Sequence, residues 1–446
     1  MNRIHSILRK AVDVRPNEVR ALLIACLFNF VILGSYYVIR PIRDDIGAAG
    51  RLETLPWLYT GTLITTLVAN AAFSAIVAKM SRRRFLPIAY RFFSLNLILF
   101  YFLMRALTPA QNVWVGRVFF VWVSVFNLFV VTLFWAFMTD VFNSEQAKRL
   151  FAFVAVGGSL GAIAGPLFTA SLVARLGAAN LILVTAALLE IAPWCVKFFP
   201  AVSSPHPAPA PNPDRPLREQ EQDKGAEQPI GGGILAAVSH VVRSPYLLGI
   251  CAFMLFHSIT GTLVYFQQAD ITGHQFHDRA TRTAFFAQLD LAVNTLTILG
   301  QLFVTGRLLK WFGVGITLAF LPVLSTLGFL GMGFVPVLAL LAVFQVLRRA
   351  GNFAVTRPAR EVLFTVLRRE DKYKAKSFID TFVYRTGDQI GAWSYPLLTW
   401  FGLGLTGISF VAAPLAALWC VLSLWLGKKQ AALAEAKMWE GPLRPD

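Results

Sequence analysis

Charge is scarce in this sequence. Only 15% of its 446 residues are Asp, Glu, Lys or Arg, against about a quarter in soluble globular proteins. Acid is the scarcer sign, with 24 Asp and Glu against 41 Lys and Arg. Cysteine is rarer still. Cys26, Cys195, Cys251 and Cys420 each stand inside an apolar run, and none belongs to a Cys-x-x-Cys pair. That excludes a disulfide scaffold and a zinc–thiolate framework. The low charge excludes a soluble enzyme or a nucleic-acid-binding domain as an account of the whole chain. Catalytic signatures are missing too: there is no P-loop, no nucleophile motif and no metalloprotease motif. The Gly157-Gly158-x-x-Gly161 cluster follows no strand, so it is not a dinucleotide loop. His274 and His277 lack the further ligands that a metal needs. No catalytic residue, metal or cofactor is expected. The basic N-terminus carries no cleavage-type pattern, so no signal peptide is expected.

Apolar runs fill the space that charge leaves. The chain is 56% hydrophobic, has 38 Phe and has a mean hydropathy of +0.59. A helix needs about 20 apolar residues to cross a bilayer. Twelve runs of that kind are present: 21–39, 56–78, 86–104, 113–138, 150–173, 179–199, 246–266, 284–305, 313–332, 335–356, 378–401 and 404–426. The expectation is an all-α polytopic membrane protein. The long polar stretch 200–245 holds eight prolines between Pro200 and Pro229 and reads as a linker. The organisation expected is a six-helix bundle over 1–199, a Pro-rich linker over 200–245, and a second bundle with a basic tail over 246–446.

Lys and Arg in the loops set orientation. With the N-terminus inside, 32 of them fall on the cytoplasmic side and 8 on the other. Both termini and the linker are therefore expected in the cytoplasm, with the chain in the cell inner membrane. The net charge of +17 then belongs to loops facing anionic lipid rather than nucleic acid. Basic loops recur at corresponding places: Ala78 to Arg84 and Gly306 to Gly313, then Thr139 to Leu150 and Thr365 to Lys376. Two parallel six-helix repeats have this spacing.

Two resemblances follow. Gly306-Arg307-Leu308-Leu309-Lys310-Trp311-Phe312-Gly313 resembles in outline the loop of the major facilitator superfamily. That likeness implies two pseudo-symmetric bundles around a central cavity. Three segments also resemble the bacterial and plastid nucleotide transporters, the ATP/ADP translocase family. They are Tyr37 to Asp44, Phe134-Trp135-Ala136-Phe137 with Glu145 to Phe151, and Lys372 to Asp380 ending in Tyr384-Arg385-Thr386-Gly387-Asp388. The chain departs from that family at Tyr59 and Asp388, where the family has lysines, and near Val123, where it has an acid. Lysines at membrane depth would bind phosphates. Their loss argues against ATP/ADP exchange and for a divergent relative with another substrate.

An ionisable side chain inside a span costs about 2.5–3.5 kcal/mol on insertion scales and is a functional candidate. For substrate binding the candidates are Arg40, Arg43, Tyr37, Tyr59, Asn127, Trp135, Asn294, Arg385 and Asp388. Arg40 and Asp44 share a face if the helix passes Pro41, as do Arg385 and Asp388. For coupling or gating they are Asp44, Asp45, Glu190, Asp290 and Asp380, with Arg282 a partner for Asp290. The end of the tenth run, Arg348, Arg349 and Asn352 included, reads as the positive-inside signal. Gly157, Gly161 and Gly165 recur every four residues, a close-packing pattern. The expected function is secondary active transport of a polar, anionic organic solute by alternating access, with exchange or protons as the drive. The alternatives are an ATP/ADP-type nucleotide exchanger and, from another class, a non-transporting membrane scaffold or receptor. Membrane lipids, the solute and protons or a counter-substrate are the expected partners.

Overall fold

The computed structural model describes residues 14–16, 18–50, 52–77, 82–200, 244–367, 375–376 and 378–439. Most of the expected linker and the Lys372–Lys374 part of the third segment lie outside the described residues. The helices are α1 (Val19–Ala49), α2 (Leu55–Val77), α3 (Arg82–Ala106), α4 (Pro109–Val141), α5 (Ser144–Leu189) and α6 (Ile191–Lys197), then α7 (Pro245–Gln275), α8 (Arg279–Phe303), α9 (Thr305–Phe334), α10 (Leu338–Gly351), α11 (Tyr384–Trp400) and α12 (Leu405–Trp439). No strand occurs among the described residues.

Among those residues nine helices are long and apolar enough to cross a membrane. One of them, Arg149–Lys197, runs 49 residues, which is about 73 Å at 1.5 Å per residue. That is more than twice the hydrocarbon thickness of about 30 Å. It divides at Gly177, whose φ of 77° breaks the helical path. α2 is a further helix, and so is α11, whose 17 residues follow a π-helical turn at Ile379–Val383. Read this way, the helices fall in the order of the twelve apolar runs. α10 likewise passes through a π-helical turn, Asn352–Thr356, into a short helical segment, Arg357–Leu363.

Local sequence explains where the helices start. Asn143 and Gln146 cap α5 reciprocally: Asn143 Oδ1 accepts from Gln146 N at 2.8 Å, and Gln146 Oε1 accepts from Asn143 N at 3.1 Å. Pro109 and Pro245 open α4 and α7, where a missing N–H costs nothing. Asp278 caps α8 by accepting from Thr281 N at 2.8 Å. That backbone bond, aided by the Thr281 hydroxyl, holds the Asp278 carboxyl below its ordinary range. α1 does continue past Pro41, to Ala49.

Glycine decides how the helices meet. Gly157, Gly161 and Gly165 of α5 lie against the backbone of α1 at Cys26, Phe30 and Gly34 in step, so the two helices run parallel. A Cβ on Gly165 would stand 2.7 Å from the Gly34 carbonyl oxygen. In the second half, Gly387 and Gly391 of α11 press on α7 beside Ser258 and Thr262 in the same manner. Gly177 after the first half of α5 and Gly402 after α11 both take positive φ, 77° and 81°. These are the pseudo-symmetric positions of the two repeats. One apolar core fills the α1–α6 bundle, with Phe28, Tyr90, Phe126 and Phe134 at its centre. Another fills the α7–α12 bundle near its start, around Phe253, Phe364 and Trp419. A third joins the two bundles at the end away from the termini, where Leu55, Leu58 and Phe120 meet Phe266, Phe286 and Tyr395.

Gly161→Ala forces a methyl group onto the Phe30 carbonyl. It should destabilise the protein by about 1–3 kcal/mol. Gly306→Ala, in the first turn of α9 with nothing within 4 Å, should be neutral or stabilising by up to about 1 kcal/mol. Thermal denaturation in detergent compares the two, and equal melting points would refute the packing account.

Candidate functional site

A cavity of about 330 Å³ lies between the bundles at mid-depth. Six helices wall it. α1 supplies Tyr36, Arg40, Arg43 and Asp44, α2 supplies Tyr59, and α4 supplies Ser124 and Asn127. From the other bundle come His257, Ser258, Thr262, Tyr265 and Gln268 of α7, Gln345, Arg348 and Arg349 of α10, and Tyr384, Arg385 and Asp388 of α11. Asn352 and Phe353, from the π-helical turn after α10, complete the wall. The second π-helical turn ends one residue before Tyr384. Such turns shift side chains off the regular helical face and are frequent at functional sites.

Five arginines line this space, and their partners are few. Arg43 Nη1 meets Asp44 Oδ1 at 3.0 Å, while its guanidinium stacks 3.8 Å over Phe120. Arg40 approaches Asp44 at 3.9 Å and Asp290 of α8 at 3.0 Å, the latter across the bundle interface. Arg349 also reaches Asp290, at 2.7 Å. Neither contact to Asp290 is aligned as a hydrogen bond, because both carboxylate oxygens and Arg349 Nη2 remain without one. Arg385 lies 3.6 Å from Asp388 on its own helix. The Asp388 carboxylate also accepts from the hydroxyls of Ser258 and Thr262 on α7. Arg348 has no carboxylate partner among the described residues. Its Nη2 donates to the His257 carbonyl and the Thr260 hydroxyl, both at 3.0 Å.

The bundles are clamped at the end remote from the termini. Asp45 of α1 is 1% exposed and meets Arg282 at 2.6 Å and Arg279 at 3.1 Å, both on α8. Asp44 accepts from the Tyr265 hydroxyl of α7 at 3.1 Å. Thr60 of α2 contacts Gln389 and Trp393 of α11, and Trp57 packs edge-on against Trp393. Consecutive aspartates thus serve different purposes, Asp44 on the cavity and Asp45 in the clamp.

The candidates from sequence divide by location. Arg40, Arg43, Tyr59, Asn127, Arg385, Asp388 and Asp44 line the cavity, and Asp290 joins them through its arginines. Six others sit elsewhere, Asp45 in the clamp among them. Tyr37 packs on Gly165 and under Arg40, and its neighbour Tyr36 takes the cavity position. Trp135 packs edge-on against Phe134 and Phe151 within the first core. Asn294 donates to the Ala162 carbonyl of α5 at 2.5 Å, a backbone tie between bundles. Glu190 pairs with Arg91 at 3.0 Å on the exterior, both well exposed, so it reaches no cavity group. Arg282 pairs with Asp45 rather than Asp290, because the start of α8 lies at the clamp. Asp380 meets Arg360 at 3.1 Å within one bundle. His257, Tyr265 and Gln268 went unselected, as did Arg348 and Arg349. Arg348 gave a signal all the same: it stands ten residues beyond Leu338, the start of α10, about 15 Å along the helix and hence at membrane depth.

Asp45→Asn leaves Arg282 buried without its charge partner. Loss of one partner of a buried pair costs about 3–5 kcal/mol. Arg282→Gln in the Asp45→Asn background should recover part of that loss. A double-mutant cycle by thermal denaturation should give a coupling of about 0.5–3 kcal/mol, and additive effects would remove the clamp from the account.

Comparison with known proteins places this architecture. A family model described as Major Facilitator Superfamily matches residues 21–363. No curated protein matches the chain significantly. Among solved structures it is similar to a D-xylose-proton symporter, with a TM-score of 0.61 at 11% identity, over 90% of this chain and 96% of that one. It is also similar to a bacterial homologue of the iron transporter ferroportin in an inward-facing state, with a TM-score of 0.61 at 12% identity, over 92% and 98%. A bacterial homologue of the human lysosomal transporter Spinster gives 0.55 at 13%, over 94% and 96%. At such identities the likeness is one of fold. With the family model spanning most of the chain, the protein belongs to the major facilitator superfamily of membrane transporters.

Proposed function

We propose that the chain is a secondary active transporter that moves a polar organic anion across the inner membrane by alternating access. The carrying observation is the charge of the cavity. Five arginines face three aspartates, Asp44, Asp290 and Asp388. A guanidinium fork matches carboxylate or phosphate geometry, and a surplus of forks at membrane depth favours an anion over a cation or a neutral solute. Tyr36, Tyr59, Tyr265 and Tyr384 add hydroxyls and ring faces for the organic part.

The clamp at Asp45 supports assigning the present state as closed on the side remote from the termini. The Lys and Arg asymmetry of the loops makes that side the outer one, so the state is closed outward. Opening outward would release Asp45 from Arg279 and Arg282 while the bundles rock about the cavity. Asp44 and Asp290 are the coupling groups in this scheme, because each carboxylate touches a cavity arginine and a group on the opposite bundle. Exchange for a counter-substrate or proton entry would act through them. The nucleotide-exchanger alternative rests on the sequence resemblance and enters the test as one arm.

The test is uptake by proteoliposomes of labelled organic anions, cations and neutral solutes, with ATP and ADP among the anions. Anion uptake is expected, falling at least about tenfold in Arg43→Gln and Arg385→Gln, the size of a lost charge-assisted hydrogen bond. Uptake confined to neutral or cationic solutes, or untouched by both substitutions in folded protein, would defeat the proposal.

A further inference from the structure

The charge surplus of the cavity is not spread evenly. Asp44 answers Arg43, and Asp388 answers Arg385. Asp290 is shared between Arg40 and Arg349, and Arg348 has no acid at all. Two positive charges are left over: the whole of Arg348 and one of the two that share Asp290. Both Arg348 and Arg349 stand on α10; Arg348 faces α7, and Arg349 reaches Asp290 of α8. Arg348 is 5% exposed, and its Nε has no acceptor. Its Nη2 is held by the His257 carbonyl and Thr260, which fixes the guanidinium plane. Gly261 makes the room, since a Cβ there would lie 3.2 Å from Nη1. Arg349 Nη2 and His257 Nδ1 are further buried atoms without a hydrogen bond, and both residues line the same cavity. Unpartnered polar nitrogens therefore gather at one wall, between α7 and α10.

A buried unpaired charge is destabilising unless something neutralises it. A solute with one negative charge would leave one guanidinium unanswered. A solute with two brings the wall to neutrality. The volume of about 330 Å³ is at the small end of ligand pockets, so the two charges must sit on a compact molecule. We infer that the α7–α10 wall, with Arg348 as anchor and Arg349 and His257 beside it, is a subsite for a doubly charged oxyanion: a phosphate monoester or a short dicarboxylate. The inference rests on the reading of the solute as an anion and narrows it. Arg348 is fixed by its backbone and hydroxyl acceptors, so its free nitrogens meet the anion without a rotamer search. Arg349 turns to the anion from its misaligned contact with Asp290, which keeps Arg40.

The test measures ligand-induced thermal stabilisation of the purified protein in detergent at constant ionic strength. The probes are phenyl phosphate, succinate and the monoanion benzoate. A ligand that binds only the folded state raises the melting point according to its affinity. Phenyl phosphate or succinate should stabilise at concentrations at least about tenfold below those that benzoate needs. Phenyl phosphate alone would assign a phosphate ester, and succinate alone a dicarboxylate. Arg348→Gln should abolish the response. Arg348→Lys keeps the charge but loses the fork, and should weaken the response at least about tenfold even if the glutamine variant fails to fold. Equal stabilisation by benzoate, no response to either dianion, or an unchanged response in Arg348→Lys overturns the inference. Benzoate binding as tightly as the dianions, together with uptake of monoanions, would remove the two-charge subsite and leave the anion-transport proposal standing. Uptake of a neutral solute alone would remove both.

Discussion

Arginine at membrane depth is the constraint on which the rest of this structure depends. A guanidinium cannot shed its proton, so it needs a carboxylate, an array of carbonyls and hydroxyls, or water. The protein uses each of the first two. Asp44 and Asp388 take one arginine apiece, Asp290 takes two, and Arg348 is left with a carbonyl and a hydroxyl. The carboxylates come from α1, α8 and α11, and the arginines they hold come from α1, α10 and α11. One of these pairings, Arg40 with Asp290, ties the two bundles together beside the cavity that both line. An apolar cavity of the same shape would need none of this. A polar wall at this depth makes sense only for a polar occupant.

Close helix contact makes that wall possible. The glycine stripes at 157, 161 and 165 and at 387 and 391 let α1 lie on α5 and α7 on α11 with backbones touching. In lipid there is no hydrophobic drive to bring helices together, so small residues and the dispersion contacts they permit carry the association. The same approach sets the depth of the site. Gly387 and Gly391 flank Asp388 and press α11 against Ser258 and Thr262, and these are the hydroxyls that hold the Asp388 carboxylate. Packing and electrostatics are thus one arrangement on α7 and α11, and a side chain larger than hydrogen at either glycine would disturb both.

What could be read from the sequence followed from physical range. Apolar runs are properties of contiguous residues, so the helices and their order were legible. The i to i+3 and i to i+4 pairs were legible for the same reason: Arg385 with Asp388, and Arg40 with Asp44 once α1 ran through Pro41. Contacts between helices were not. Asp290 finds Arg40 and Arg349, from residues 250 and 59 positions away in the sequence, while Arg282, eight positions away, turns to Asp45. Tyr36 and Tyr37 could not be told apart without knowing which face of α1 the glycines of α5 occupy. Trp135 and Asn294 carry the residue types of a binding site, but one completes a core and the other ties two backbones. Arg348 was hidden by its company, since the basic cluster that follows it is the ordinary signature of a cytoplasmic helix end.

The end of α1 shows how occupancy of the cavity and closure of the end remote from the termini share one element. Neighbouring residues on a helix point about 100° apart. Asp44 therefore faces the cavity, bonded to Arg43 and Tyr265, while Asp45 faces the clamp on α8. Arg40, one turn earlier, reaches α8 as well, at Asp290. An anion that drew Arg43 or Arg349 from its aspartate would change the balance of charge within about one turn of the clamp on α1 and about two turns on α8. In the transport cycle we propose, no long route between binding site and gate is then required. The two are successive faces of a single helix: Asp44 holds an arginine on the cavity, and Asp45 holds the end remote from the termini shut.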